Sequence, residues 1–174
     1  MRKVLFSVAS SLDNYIARQD GAVDWLLWND EAASFMKELW KKIDTVLWGR
    51  KTYEVALRSG NPLSHKGVKN YVFSQTMKQS SVKNIALIDT DVAQFVRDLK
   101  TRKGKDIFLM GGGELAKSLF EAKLIDGLSL NIHPILLGQG VPLFRAINND
   151  VKLVLLDCKT FKNSCLLVSY RVEH

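Results

Sequence analysis

The segment that most restricts how this chain folds is DIFLMGGGELAKSLF, residues 106–120, where four apolar residues run into three glycines and then an amphipathic stretch. Glycine gives up more backbone entropy on folding than any other residue, so three in a row between a buried strand and a helix need a reason. A molecule lying against bare backbone is one such reason.

The rest of the sequence repeats the strand-then-helix order. β-rich runs occupy residues 3–9, 44–49, 70–74, 84–88, 106–110, 126–135, 151–161 and 164–173. Several are apolar on both faces, as central strands covered by helices are. The last three have no helix between them, which predicts an antiparallel finish. In NDEAASFMKELWKKI, from Asn29, the residues Ala32, Phe35, Met36, Leu39, Trp40 and Ile43 mark one helix face, with Asn29 or Asp30 as cap. DVAQFVRDLKTRKG repeats the pattern at Val92, Phe95, Val96 and Leu99, with Asp91 as cap. A shorter helix spans residues 49–60 and ends near Gly60. The predicted architecture is a three-layer α/β domain with a mixed sheet.

A chain of 174 residues fits one domain, 1–174. With 47% apolar and 25% charged residues the composition is that of a globular protein. No apolar run approaches the roughly 18 residues that span a bilayer, and the start turns polar too soon for a signal peptide, so a cytoplasmic location is expected. The net charge of +7 comes from scattered lysines and arginines. Only KTRKGK, residues 100–105, clusters, and it reads as a helix C-terminus that Gly104 ends. Cys158 and Cys165 flank a hairpin turn and are read as free core thiols. His65, His133 and His174 share no ligand spacing, so no metal site is predicted.

Gly111, Gly113 and Ala116 fit G-x-G-x-x-[GA] between strand and helix, a dinucleotide fingerprint. Bare backbone admits a diphosphate, and the N–H groups of the helix from Glu114 point at its charge. The order of elements is nevertheless not that of a Rossmann domain. There the fingerprint follows the first strand and an acidic residue lies about 20 positions on; here the first strand leads into SSLDNYIARQDG. A second junction, VLWGRKTYE, sets Arg50, Lys51 and Thr52 after Gly49 at a helix start. Cations there oppose the helix dipole unless an anion lies between. A third, YVFSQT, offers Ser74, Gln75 and Thr76 to phosphate or ribose. Two separated anion sites plus hydroxyls favour NADP(H) over NAD(H).

With these junctions in this order the chain resembles the dihydrofolate reductase-like superfamily, most closely the reductase domain of the riboflavin-biosynthesis deaminase-reductase, over about residues 2–173. The resemblance rests on SLDNYIA, VLWGRKTYE, YVFSQT, IFLMGGGELAKSLF and HPILLGQGVPLF. It implies a mostly parallel central sheet with an antiparallel C-terminal hairpin. It also implies NADPH held by Gly49, Arg50, Lys51 and Thr52, by Ser74, Gln75 and Thr76, and by Gly111, Gly112, Gly113, Glu114 and Leu115. The nicotinamide is then near Ala9, substrate lies between the segment after the first strand and the helix from Asp30, and subunits pair. The strand LSLNIHPILL is a candidate for the homodimer contact. Three departures matter. Asn14 replaces the glycine of S-L-D-G, Val68 stands near where folate reductases carry an arginine for the glutamate tail, and the zinc motifs of the deaminase are missing.

Hydride addition to C=N or C=O needs a proton donor nearby. Asp13, Asp30 and Glu31 are the candidates, with turn-ordering and helix-capping as their plainer roles. Trp25 and Trp28 can wall a pocket for a flat ring, or serve the core. The sequence therefore points to an NADPH-dependent reductase of a small heterocycle or ribosylaminopyrimidine. The alternatives are a dihydrofolate or pterin reductase and a regulatory protein that binds NADPH without turnover. Scattered charge and the lack of an aromatic stacking platform argue against nucleic acid as a partner.

Overall fold

The computed structural model describes residues 1–58, 67–80 and 82–174; Gly60 and His65 lie outside the described residues. The elements run β1 (Val4–Ser11), β2 (Tyr15–Ala17), α1 (Asp30–Lys42), β3 (Ile43–Gly49), α2 (Arg50–Arg58), β4 (Lys69–Phe73), β5 (Ile85–Ile88), α3 (Val92–Thr101), β6 (Asp106–Gly111), α4 (Gly113–Glu121), β7 (Gly127–His133), β8 (Val141–Pro142), β9 (Leu153–Thr160) and β10 (Leu166–Val172). Eight strands form one sheet in the order β5-β4-β3-β6-β1-β7-β10-β9, and β2 pairs with β8 apart from it. The pairs from β5 to β7 are parallel, and β10 runs antiparallel to both β7 and β9. The fold is the dihydrofolate reductase-like α/β architecture with its antiparallel C-terminal hairpin. The two-residue β8 and three-residue β2 were not legible as strands, being too short to carry an alternation.

Alternation along the central strands divides the core. On β6, Ile107 and Leu109 pack with Val96 and Leu99 of α3 and with Leu115 and Leu119 of α4. Between them Phe108 turns the other way, with Leu39 of α1 and Tyr53 and Ala56 of α2. Helices α1 and α3 begin as their sequences require: Asn29 Oδ1 accepts from the Ala32 N–H at 2.7 Å, and Asp91 Oδ1 from the Gln94 N–H at 2.7 Å. Asn29, not Asp30, is the cap of α1.

The 100–105 cluster is not simply the exposed end of a helix. Lys100 is buried; its ammonium donates to Asp126 Oδ2 at 2.7 Å and to the Leu124 carbonyl at 3.2 Å. The same Asp126 oxygen accepts the Val4 N–H at 2.7 Å, so one carboxylate joins α3, β1 and the start of β7. Helix α3 stops when Arg102 turns extended. Gly104 instead lies in the following loop at φ +156, where a Cβ would come 2.6 Å from Asp44 Oδ2. Asp44 in turn pairs with the buried Arg2.

Strand β7 lies between β1 and β10 with Leu128, Leu130 and His133 buried, while Pro134 and Leu136 beyond it are exposed. The reading of both cysteines as core thiols changes. Cys165 is buried but Cys158 is exposed on β9, and both are free. Strand β9 pairs with β10 alone and carries no buried residue.

His133 is an inward residue at the end of β7. Its Nδ1 accepts the Leu27 N–H at 3.1 Å, Cys165 Sγ lies 3.4 Å from the same nitrogen, and Nε2 faces the Asn131 amide at 3.3 Å. Trp25 stacks edge-on against the ring at 5.3 Å. Burial pushes the imidazole below its ordinary range, so the ring is held neutral.

Lys100→Met, which keeps the stem and deletes the charge, leaves Asp126 with the Val4 N–H but no cation and is expected to cost about 2–3 kcal/mol in urea unfolding. His133 yields a pH signature. Its proton affinity is lower folded than unfolded, so its contribution is full above the ordinary imidazole pKa of about 6.5 and is lost on acidification below it. His133→Gln is expected to lessen the fall in stability between pH ~7.5 and ~5.5, read from urea midpoints.

Candidate functional site

The strand register brings all three sequence-predicted junctions to one edge. Trp48 of β3 lies opposite Gly111 of β6, Gly49 opposite Phe73 of β4, and Phe6 of β1 opposite Leu109. The carboxyl ends of β1, β3, β4 and β6 therefore face the same way, the side of an open α/β sheet on which ligands bind.

Two of the three glycines are demanded by the backbone itself. Gly111 and Gly112 sit at φ +116 and +106, a region that side chains disfavour. A Cβ on Gly49 would meet the Gly111 carbonyl oxygen at 3.1 Å and Gly112 Cα at 3.2 Å. β3 and β6 thus touch through bare backbone. The Thr52 hydroxyl stands over this contact, 3.6 Å from where a Gly112 Cβ would be.

Helix α4 follows at once. Its N-cap is Gly112 and no side chain caps it, unlike α1 and α3, which leaves its first-turn N–H groups to water or an anion. At the neighbouring start of α2 no acidic residue occupies the first turn. Arg50 bonds forward to Glu54 at 2.7 Å, and Lys51 is exposed. Ser74 is committed locally: its Oγ accepts the Met77 N–H at 2.9 Å and the Thr76 N–H at 3.3 Å. Gln75 and Thr76 are exposed beside it. A glycine cradle with an uncapped helix start and a hydroxyl over it is chemically suited to an anionic group such as a diphosphate.

The three carboxylates have different settings. Asp13 is a knot between loops: Oδ1 accepts the Ser11 hydroxyl at 2.6 Å and the Leu137 N–H at 3.1 Å, and Oδ2 the Gly138 N–H at 2.7 Å. The Ser11 hydroxyl first, then the Gly138 and Leu137 amides, hold its carboxyl below the usual range. Such a group stays ionised and is poorly suited to giving up a proton. Glu31 accepts the Lys162 N–H at 2.8 Å and ties α1 to the β9–β10 turn. Asp30 is exposed in the first turn of α1.

Asp30 and Glu31 border a groove of about 930 Å³ that runs along α1 over the sheet. Its floor includes Ser7, Ser129 and Ser169, register partners across β1, β7 and β10, and its walls include Phe35 and Phe161. Ser129 and Ser169 share a 3.1 Å hydroxyl contact. Ala9 follows Leu5 and Ser7 in the alternation of β1, so this face of the strand leads from the groove toward the glycine edge. Trp25 is buried against His133, and Trp28 is 76% exposed.

Sequence reasoning missed the Asp13 partners Leu137 and Gly138, although they lie inside the HPILLGQGVPLF motif, and it missed Arg145, one residue beyond that motif. Arg145 reaches the start of α4 and pairs with Glu114 at 3.3 Å. The motif shows a loop but not which backbone amides meet a carboxylate more than a hundred residues away. No cluster of three or more potential metal ligands occurs among the described residues. No helix there is long and apolar enough to cross a membrane.

Known proteins resemble this arrangement closely. YyaP and YwjB of Bacillus subtilis strain 168, both uncharacterized proteins by name, are 30% and 32% identical to the chain. The matches cover 97% and 92% of it, and 94% and 92% of the relatives. The crystal structure of a Shewanella sp. PV-4 protein named for riboflavin biosynthesis superposes over 100% of both chains with a TM-score of 0.86 at 25% identity. The Thermotoga maritima diaminohydroxyphosphoribosylaminopyrimidine deaminase/5-amino-6-(5-phosphoribosylamino)uracil reductase shares the fold, with a TM-score of 0.75 at 19% identity over 98% of this chain and 56% of that one. The model of the RibD C-terminal domain matches residues 2–167, and the chain belongs to that family.

Proposed function

We propose that the chain is an NADPH-dependent reductase that places hydride on a C=N or C=O group of a small heterocycle or its ribosylamino derivative. The observation that carries this reading is the side-chain-free contact of Gly49 with Gly111 and Gly112 beside the uncapped start of α4. Family membership supports it: the Thermotoga relative is named as a uracil-derivative reductase. When bound, NADPH supplies the hydride.

The first-turn N–H groups of α4 and the Thr52 hydroxyl would hold the diphosphate. Arg50 would exchange Glu54 for the extra phosphate. Ala9, with its short side chain, would leave space for the nicotinamide ring at the head of the groove. Phe35, which packs on the buried Phe161, would give a flat substrate an apolar wall while the serine floor bonds its polar edge. Because Asp13 is engaged as an ionised knot, its part is to fix the 137–138 loop. Asp30, exposed at the groove, would then relay a proton from water.

Nicotinamide absorbance followed against dihydropterins, dihydrofolate and the ribosylaminopyrimidine phosphate tests the reading. Binding of NADPH with no oxidation by any of them would replace the reductase by a cofactor-binding protein. Arg50→Ala is expected to weaken NADPH about tenfold or more while changing NADH little, measured by calorimetry; equal losses would reject its assignment to the extra phosphate. Asp13→Asn is expected to slow turnover about three- to thirtyfold with NADPH affinity unchanged, since one hydrogen bond to a charged group is at stake. Amide exchange at Leu137 and Gly138 should then quicken, which loss of a proton donor alone would not cause.

A further inference from the structure

Arg145 is delivered to the start of α4 by a built arm. Leu143, 1% exposed, donates its N–H to the Asn14 carbonyl at 2.8 Å, and the Phe144 ring meets Phe120 of α4 edge-on at 6.0 Å. The chain beside Arg145 is thus pinned both to the loop after β1 and to α4 itself. The Arg145 stem lies over the first residue of α4, with Cγ and Nε 3.2 and 3.5 Å from the position of a Cβ on Gly113. A Cβ there would make the arginine stem give by a few tenths of an ångström. The third glycine, unlike Gly111 and Gly112, is not at positive φ, and its missing side chain lets the arginine stem lie close.

Electrostatics makes the placement costly in the free chain. A cation at a helix N-terminus opposes the dipole. Its partner, Glu114 Oε1 at 3.3 Å, is 79% exposed, and exposed ion pairs contribute little. The conflict is removed if a stronger anion takes the place of the Glu114 carboxylate.

We propose that Arg145 is a ligand of the cofactor diphosphate, and that Glu114 holds it as a stand-in anion until the cofactor arrives. The proposal rests on reading this edge as a cofactor seat. The planar guanidinium can bond two phosphate oxygens at once, while the α4 amides bond from the helix side. Glu114, being exposed, has room to swing into water as the phosphate enters. The division of labour follows from position: Arg145, over the start of α4, would meet the diphosphate, and Arg50, at the start of α2, would meet the extra phosphate. Loss of Arg145 must therefore hurt both pyridine nucleotides equally.

Calorimetric titration of the full chain with NADPH and with NADH, at several salt concentrations, tests this. Arg145→Ala is expected to lower affinity for both by about tenfold to a hundredfold, as for one charged hydrogen-bonding partner, and to flatten the salt dependence. Arg145→Gln keeps the stem over Gly113 and should lose nearly as much, so a packing defect in the alanine variant does not blur the result. Glu114→Gln is expected to raise affinity for both nucleotides severalfold. Unchanged affinity in Arg145→Gln, or a loss confined to NADPH, overturns the proposal while leaving the cofactor seat intact. If the unmodified chain binds neither nucleotide, the reading of the seat itself fails, and this proposal with it.

Discussion

The site is organised by one contact made without side chains, the backbone of β3 at Gly49 against that of β6 at Gly111 and Gly112. Hydrogen bonding sets the spacing of adjacent strands, but helices can start side by side beyond them only if nothing projects between. Two residues at positive φ turn β6 out of the sheet and into α4 within one step. The same turn brings Thr52 of α2 over the glycines. Packing therefore accounts for Gly111 and Gly112 before any ligand is considered, and the exposed helix start is what that packing leaves behind.

A second layer of order comes from two loops that hold each other. The loop after β1 and the loop after β7 are joined by the Asp13 carboxylate, by the Leu12 N–H to the Ile135 carbonyl at 2.9 Å, and by the β2–β8 pair. Asn14, at φ +64, keeps the left-handed turn that a glycine would make more cheaply. The chain thus departs from the S-L-D-G pattern in residue type and places at that position a residue that tolerates the left-handed conformation. The arm that carries Arg145 continues from the loop after β7 but is pinned separately, by the Leu143 N–H on the Asn14 carbonyl and by the Phe144 ring on Phe120.

Much of the fold was legible because its signals are local. Short β-rich runs apolar on both faces, three amphipathic helices, a cap at Asn29 or Asp30 and another at Asp91 are each written within a few residues. What was not legible depends on distance in sequence. Lys100 reads as one more cation in a basic helix end, and only the fold shows Asp126 beside it. Asp13 reads as an acid near a substrate, and only the fold shows three donors around it. The position of the glycine seat could be inferred because strand, turn and helix are contiguous there. Arg145 could not, since nothing in a sequence says which helix start a surface arginine will cover.

The sheet is insulated unevenly, and its mechanics should follow. β1 and β6 lie between partners on both sides and beneath helices, whereas β9 closes the sheet with one neighbour, no buried residue and an irregular register opposite Ser169 and Tyr170. Few apolar contacts oppose its detachment. The molecule therefore has a soft flank and a stiff centre. β9, far across the sheet from the glycine contact, is where local opening is expected to cost least, while β10 beside it is anchored by Leu167, Val168 and Val172.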